Sequence, residues 1–392
     1  MEVAARTFLQ TEAPFALTPQ DSKTDIRVSV WDTRGFWTIK PDYQGIFDNN
    51  VDFRAKTVTL EDDGRRQVPC AMGSPQASQK LYLLGDSQTF GWGLSDTETW
   101  ANRLQCALNK KMQNAYQVRN YGFPGAQVDQ IFKRGIQQIV PATRPGDVVI
   151  ISITWNDLIN FYSGRVFVRY AAAEAGLSVN EDTWNSIAPI KSPLFEKNIS
   201  RNPASLALQL KMPLHYLNPP SWRYSFYLKH GIFVPSLSST DAFLVSMKYA
   251  SVVFRIALST ARLIYYRWRS KESLIRKFPK DTVANNFFVI KSLTTAFERK
   301  GAQVIVQLLP PRQFFDTYYY RTYSNNGLTF PTQDYMGYLA KPWCERMGLT
   351  CQNPFSKLKT VTRDAHSFTF DGHYNAAGAL VISNALIDKI KP

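Results

Sequence analysis

The sequence predicts an α/β protein in which helices cover both faces of a parallel sheet, in three layers. Four short apolar segments are interpreted as buried strands, at residues 81–84, 118–121, 147–153 and 303–309. Helix-like segments at residues 100–113, 283–300 and 379–390 alternate with them. The β-branched run of residues 147–153 is typical of a parallel strand that is buried on both faces.

The chain of 392 residues exceeds the usual size of a single core, and its composition changes at three points. We predict an N-terminal β-rich extension over residues 1–79, the first part of the core over 80–160, a largely helical cap insertion over 161–282 and the second part of the core over 283–392. In the extension, β-rich pieces at residues 26–38 and 51–60 are separated by turn residues.

Ser87 follows directly on the first predicted core strand. It lies within Leu-Tyr-Leu-Leu-Gly-Asp-Ser-Gln-Thr-Phe-Gly-Trp-Gly, residues 81–93. Open α/β sheets bind their ligands in the crevice outside the carboxyl ends of the strands, where such a serine lies. An ordinary strand-to-helix turn with a capping serine has the same local pattern, so the functional interpretation depends on the rest of the chain.

Three further segments place distinctive residues in loops beside predicted strand or helix ends. Gly125 ends the segment Asn-Tyr-Gly-Phe-Pro-Gly after the second strand, and Asn156 follows the third strand in Thr-Trp-Asn-Asp. His373 lies in Asp-Gly-His-Tyr-Asn, just before the C-terminal helix. The chain therefore carries a serine, a glycine, an asparagine and a histidine in four separate blocks.

This order of blocks resembles the SGNH (GDSL-type) hydrolase superfamily, over roughly residues 81–160 and 300–392. The first and last blocks are similar to those of a bacterial branch that writes them GDS-x-TFG and DGH-x-N. The resemblance implies an α/β/α fold of the SGNH type. It also implies that Ser87 is the nucleophile and His373 the general base, and that the Ser87 amide, Gly125 and Asn156 form the oxyanion hole.

The chemistry implied by the resemblance is acyl transfer through an acyl-serine. A serine hydroxyl is a weak nucleophile until an imidazole takes its proton, and fixed donors stabilise the oxyanion that forms. Asp371 would orient the imidazole. Many members of the superfamily place this acid three residues before the histidine, where this chain has Phe370. The two-residue spacing is similar to some bacterial members, including polysaccharide O-acetyltransferases, and Asp364 is the fallback acid.

Other titratable residues receive structural interpretations. Asp86 and Asp157 lie inside the motifs and are interpreted as hydrogen-bonding supports of their turns. His366 has no third ligand at metal spacing, so we interpret it as a polar loop residue. We predict no metal and no cofactor.

A basic, aromatic segment lies within the insertion. Residues 246–280 contain nine lysines and arginines against the single acid Glu272, and Arg262, Arg267 and Arg269 flank its most aromatic part. Such a helix can lie on an anionic membrane surface, line a cleft for an acidic polysaccharide, or pack on the core as a structural cap. The formal net charge of +15 supports an anionic partner. Nucleic acid is not expected, because no binding motif accompanies the charge.

The N-terminus and the cysteines bear on localisation. No apolar run reaches the roughly 18 residues of a membrane-spanning helix, and residues 1–6 lack the features of a signal peptide. Residues 2–6 are similar to the stretch that follows an N-terminal anchor helix in this branch. We therefore expect a periplasmic or extracytoplasmic protein, anchored by an upstream segment, with a cytoplasmic protein as the alternative.

The four cysteines also bear on localisation. Cys344 and Cys351 are close enough in sequence to close a small loop, whereas Cys70 and Cys106 are far apart. The sequence does not decide between disulfides and thiols.

The sequence thus predicts a serine esterase that cleaves or transfers small acyl groups, acetyl above all, on carbohydrate. One alternative is a lipid or acyl-chain esterase that acts at a membrane surface. Another is a non-catalytic module that binds glycan or membrane on a hydrolase scaffold. The sequence leaves the oligomeric state open.

Overall fold

A computed structural model describes residues 27–28, 38–39, 41–47, 53–73, 77–112, 115–154, 157–158, 165–177, 282–312, 315, 334–361, 366–368 and 372–390. The chain forms two compact units, one of residues 1–38, 198–277 and 325–327 and the other of residues 39–197, 278–324 and 328–392. In the first unit only residues 27, 28 and 38 are described, within the short strands β1 (Arg27–Val28) and β2 (Thr38–Ile39). The described functional residues discussed below lie in the second unit.

A five-stranded, all-parallel sheet forms the centre of the second unit. Its order is β6-β5-β7-β8-β9. The strands are β5 (Gln79–Gly85), β6 (Tyr116–Gly122), β7 (Val148–Thr154), β8 (Gln303–Leu309) and β9 (Cys351–Gln352). Every residue of β7 is buried, as expected for a strand covered on both faces. The predicted parallel sheet is confirmed, and β9 extends it by a fifth strand that the sequence did not predict.

Helices flank the sheet in two layers. They are α1 (Ser87–Phe90), α2 (Trp100–Met112), α3 (Val128–Arg134), α4 (Arg165–Glu174), α5 (Thr282–Glu298), α6 (Tyr335–Arg346), α7 (Phe355–Thr360) and α8 (Ala376–Ile387). Apolar side chains of α2 and α8 share one buried cluster with residues of β5, β7 and β8. In the other layer, α5 packs against β8, α3 and α4. The predicted α/β/α class is confirmed.

The described part of the N-terminal extension adds a hairpin beside the sheet. Strands β3 (Gln44–Phe47) and β4 (Lys56–Thr59) pair antiparallel. An isolated bridge between Arg66 and Asn120 joins the extension to β6 at the edge of the sheet. Strand β4 lies within the predicted piece 51–60, whereas β3 was not predicted because four residues without apolar alternation carry little strand signal.

The range predicted as the cap insertion is described only at its two ends. Helix α4 lies in this range and packs against α5 within the second unit. Residues 178–281 lie outside the described part of the chain, so the predicted boundaries of the insertion stay a prediction. Among the described helices, none has the length and apolar character to cross a membrane.

Two disulfides decide the question that the sequence left open. Cys70 pairs with Cys106 and thereby links the extension to α2. Cys344 pairs with Cys351 and links α6 to β9. The first pair was not predictable from spacing, because its two cysteines are 36 positions apart and only the fold brings their Cα atoms to 5.4 Å.

Candidate active site

Ser87 is the first residue of α1, immediately beyond the carboxyl end of the buried strand β5. The side chain of Asp86 caps this helix by accepting a hydrogen bond from the Gln88 amide at 2.9 Å. Strands β6 and β7 end beside β5 at Gly122 and Thr154. Because the carboxyl ends of parallel strands meet at one edge of the sheet, the loops after all three strands converge around Ser87.

His373 lies against Ser87 although 286 positions separate the two residues. Its Nε2 is 2.7 Å from Ser87 Oγ, a hydrogen-bond distance. The neighbouring residues hold this pair in register, because the Tyr374 amide donates to Gln88 Oε1 at 3.0 Å. The amide of Phe368 donates to the His373 carbonyl at 2.8 Å and ties the loop to the chain before it. A neutral imidazole in this position can accept the serine proton.

Gly125 lies in the loop after β6, with φ +80°. A side chain is strained in this left-handed conformation, which favours glycine. Among the described residues, no heavy atom lies within 4 Å of the position that a Cβ atom would take here, so these residues leave open space beside the Gly125 backbone. The structure therefore leaves room beside the predicted oxyanion donor.

The other predicted site residues lie outside the described part of the chain. These are Asn156 of the oxyanion hole, Asp371 of the triad, the fallback acid Asp364 and the three arginines Arg262, Arg267 and Arg269. Their roles stay predictions. Asp157, the neighbour of Asn156, is described, and the side chain of Asn286 holds its loop by donating to the Asp157 carbonyl at 3.3 Å.

Two buried carboxyl groups lie beneath the nucleophile helix and share one hydroxyl. Thr154 Oγ1 is 3.1 Å from Asp86 Oδ2 and 2.9 Å from Asp157 Oδ2. A hydroxyl has one hydrogen, so both contacts are hydrogen bonds only if one carboxyl group is protonated. Each acid also accepts a backbone N–H of its own turn, which is the supporting role that the sequence predicted.

The surroundings of the two acids assign the shared proton to Asp157. Burial raises the pKa of Asp157 well above its usual range, and the nearby charge of Asp86 raises it further. Burial also raises the pKa of Asp86, but the charge of His373 opposes this effect. Of the two acids, Asp86 is therefore the one whose ionised form is favoured by a neighbouring charge, that of His373.

Asparagine substitutions test this assignment. We expect Asp157→Asn, which resembles the protonated acid, to keep kcat within about threefold, whereas Asp86→Asn should lower kcat by about tenfold because it removes the charge facing His373. The folded protein favours the protonated form of Asp157 more than the unfolded chain does. The free energy of unfolding therefore falls as the pH rises through the raised pKa of folded Asp157. As the pH rises above about 4, the ordinary pKa of an aspartate, the unfolding temperature should therefore fall less in Asp157→Asn than in the wild type. An equal loss in both proteins would contradict the assignment.

Aromatic side chains form one wall of the site. The Trp92 ring lies 6.3 Å from the His373 ring, and Phe47 of the extension packs edge-on against Trp92 at 5.0 Å. Spacing in the sequence did not reveal this wall, because Phe47 belongs to the unpredicted strand β3.

His366 is a buried residue with local partners. Its Nδ1 is hydrogen-bonded to Ser367 Oγ at 2.7 Å, and its ring lies 4.5 Å from the ring of Phe315.

A serine and a histidine at hydrogen-bond distance at the carboxyl edge of a parallel sheet have the arrangement that nucleophilic serine catalysis requires. Residues 83–180 match the GDSL-like Lipase/Acylhydrolase family. This segment contains Ser87, Gly125 and Asn156. Over this segment the chain is similar to the GDSL-like acylhydrolases, and together with the Ser87–His373 pair this match supports an enzyme that acts on ester bonds.

Comparison with known proteins adds three similar structures. A single-residue variant of the acetyl xylan esterase Axe2 from Geobacillus stearothermophilus is 12% identical, covering 80% of this chain and 95% of its own, with a TM-score of 0.36. TesA is 11% identical over 80% of this chain and 99% of its own, with a TM-score of 0.36. A G-D-S-L lipolytic protein from Veillonella parvula is 10% identical over 79% and 97%, with a TM-score of 0.35. No curated protein sequence matches the chain.

Proposed function

We propose that this chain is a serine esterase that removes or transfers small acyl groups, acetyl above all, on carbohydrate hydroxyls in an oxidising, extracytoplasmic compartment. The observation that carries the proposal is the 2.7 Å contact between Ser87 Oγ and His373 Nε2 at the carboxyl edge of the sheet. Disulfides form and persist in oxidising compartments, so the two disulfides support this localisation.

The reaction follows from the proton path between these two side chains. His373 Nε2 takes the hydroxyl proton while Ser87 Oγ attacks the ester carbonyl carbon, which produces a tetrahedral oxyanion and an imidazolium. The ester bond then breaks, the sugar oxygen leaves with the proton from the imidazolium, and an acyl-serine remains. The Ser87 amide, Gly125 and Asn156 are the proposed donors to the oxyanion.

The second half of the reaction regenerates the serine. An acceptor hydroxyl gives its proton to His373 and attacks the acyl-serine carbonyl, and the imidazolium returns that proton to Ser87 Oγ as the acyl–serine bond breaks. Water as acceptor gives hydrolysis, and a sugar hydroxyl gives transfer. A negative charge on Asp86, which interacts favourably with the charge of His373, would favour the imidazolium in both halves.

A small acyl group and a sugar suit the aromatic wall of the site. The Trp92 ring lies beside His373 with Phe47 packed against it, so an aromatic ring borders the catalytic pair. Aromatic rings pack well against the apolar face of a ligand while polar groups nearby form hydrogen bonds.

The proposal predicts a preference for acetyl esters and for carbohydrate. We expect kcat/KM for p-nitrophenyl acetate to exceed that for the octanoate by at least about tenfold, because misfit of even one methylene in a pocket costs about 10-fold or more. The enzyme should also release acetate from an O-acetylated cello-oligosaccharide. With an unacetylated oligosaccharide added as acceptor, chromatography of the products should distinguish hydrolysis from transfer.

The proposed oxidising compartment predicts that the cysteines are paired. The four cysteines should therefore react with a thiol reagent only after reduction.

Opposite results lead to different conclusions. A preference for octanoate over acetate would favour the lipid-esterase alternative and contradict the acetyl proposal. Turnover of p-nitrophenyl acetate without release of acetate from the oligosaccharide would leave the serine mechanism standing and reject the carbohydrate substrate. Ser87→Ala is the matched control for every substrate.

A further inference from the structure

The loop that follows helix α1 is held by a side chain from the N-terminal extension. The Arg66 guanidinium is fully buried, with 0% exposure. Its Nη1 donates to the carbonyl oxygens of Phe90 at 2.9 Å and Gly91 at 2.6 Å, and its Nη2 donates to that of Leu94. Its Nε donates to Asp96 Oδ1 at 3.0 Å. One side chain thus binds three backbone carbonyls of residues 90–94, which we call the catalytic loop, and the carboxylate of Asp96.

Helix α1 requires such support because it is very short. A single turn of four residues is not stable by itself, yet it carries Ser87 at its start. Its last carbonyls lack partners within the helix and carry partial negative charge. The chain then reverses at Gly91, where φ is +83°. A buried cation at this end satisfies the carbonyls and fixes the helix that holds the nucleophile.

Arg66 is also connected to the loop that carries Gly125. Its backbone amide donates to the Asn120 carbonyl at 2.8 Å. The side chain of Asn120 in turn donates to the Thr89 carbonyl at 3.0 Å and accepts from the Gly122 amide at 2.9 Å. The nucleophile helix and the end of β6 therefore share one hydrogen-bonded network that begins at Arg66.

We propose that Arg66 is a positioning residue for the esterase reaction, through which the N-terminal extension holds Ser87 in its reactive orientation. Only a guanidinium supplies planar, forked donors to three carbonyls and a carboxylate at once, whereas the ammonium of lysine supplies three donors from one point. The inference rests on Ser87 being the nucleophile but not on the carbohydrate substrate.

Two adjacent arginines allow a matched test. Arg65 forms ion pairs with Asp63, at 2.6 Å, and with Glu61, away from the catalytic loop. With p-nitrophenyl acetate we expect Arg66→Lys to lower kcat by roughly 10- to 100-fold with little change in KM, because small misplacement of a reacting group costs up to about 100-fold. Arg65→Lys should stay within about twofold. Labelling of Ser87 by a fluorophosphonate should slow in parallel with kcat in Arg66→Lys.

The controls separate a positioning role from loss of the fold. Circular dichroism and thermal unfolding must show that Arg66→Lys is folded at the assay temperature. If it is not folded, Asp96→Asn provides a milder variant, because it keeps an acceptor oxygen but binds the guanidinium less strongly. Asp96→Asn should lower kcat several-fold. A folded Arg66→Lys, or in its place a folded Asp96→Asn, with wild-type kcat and labelling rate would overturn the proposal. So would an equal loss in Arg65→Lys. If Ser87→Ala itself remains active, the serine mechanism fails instead, which distinguishes the two.

Discussion

Ser87→Ala is expected to abolish ester turnover, with a loss in kcat of about 10⁴-fold or more. In the proposed mechanism the hydroxyl supplies the atom that attacks the ester carbonyl. Among the described side chains, His373 is the one at hydrogen-bond distance from its Oγ. Turnover of p-nitrophenyl acetate and labelling by a fluorophosphonate measure the effect. Both should disappear.

The fold should survive this substitution. The Ser87 side chain is only half-buried, so removing its oxygen leaves little cavity, and the unfolding temperature should stay close to that of the wild type. Ser383→Ala is a suitable control, because Ser383 is buried in α8 and its hydroxyl donates to the Leu380 carbonyl of the same helix. Substantial activity in folded Ser87→Ala would remove Ser87 from the mechanism.

His373→Ala should cost a similar factor, about 10⁴-fold in kcat. Without the imidazole the serine proton has no acceptor, and the leaving alcohol has no acid. In the wild type, activity should fall in acid as the imidazole becomes protonated, and this acid limb should be absent from the residual activity of the variant. A pH profile of kcat/KM with p-nitrophenyl acetate checks both expectations.

His366→Asn is the matched histidine control. An asparagine can keep the hydrogen bond to Ser367, so this variant should retain the acid limb even if its stability falls. Comparison of Asp371→Asn with Asp364→Asn then identifies the acid that orients the imidazole. A larger loss in Asp364→Asn would mean that the predicted triad acid is the wrong one.

Long buried elements were predictable from the sequence alone. Strand β8 was predicted to the residue, at 303–309, because a continuous apolar run bounded by Pro310 has few other stable conformations. Helix α8 was predicted from residue 379 but begins at residue 376, since the Asn375 side chain accepts hydrogen bonds from the first amides of the helix. Asparagine is a known helix cap, so this start was present in the sequence as an unused signal.

Short elements were not predictable, because they acquire their conformation from their partners. Strand β9 has two residues and exists through its pairing with β8. Strand β3 pairs with β4 and brings Phe47 to the aromatic wall. No local pattern indicates either strand, since the free energy that orders them comes from contacts distant in sequence.

The sequence by itself determined the fold class and the order of the four blocks, and it predicts Ser87 as the nucleophile and His373 as the base. These follow from residue types at strand and helix ends, which are local properties. Only the tertiary structure decided which side chains contact one another around the site. It brings Asp86 and Asp157 to the hydroxyl of Thr154, and it buries Arg66 while Arg65 stays half-buried. The two arginines are indistinguishable in a polar turn of the sequence, and it is the bridge between Arg66 and Asn120 at the sheet edge that directs one of them inward.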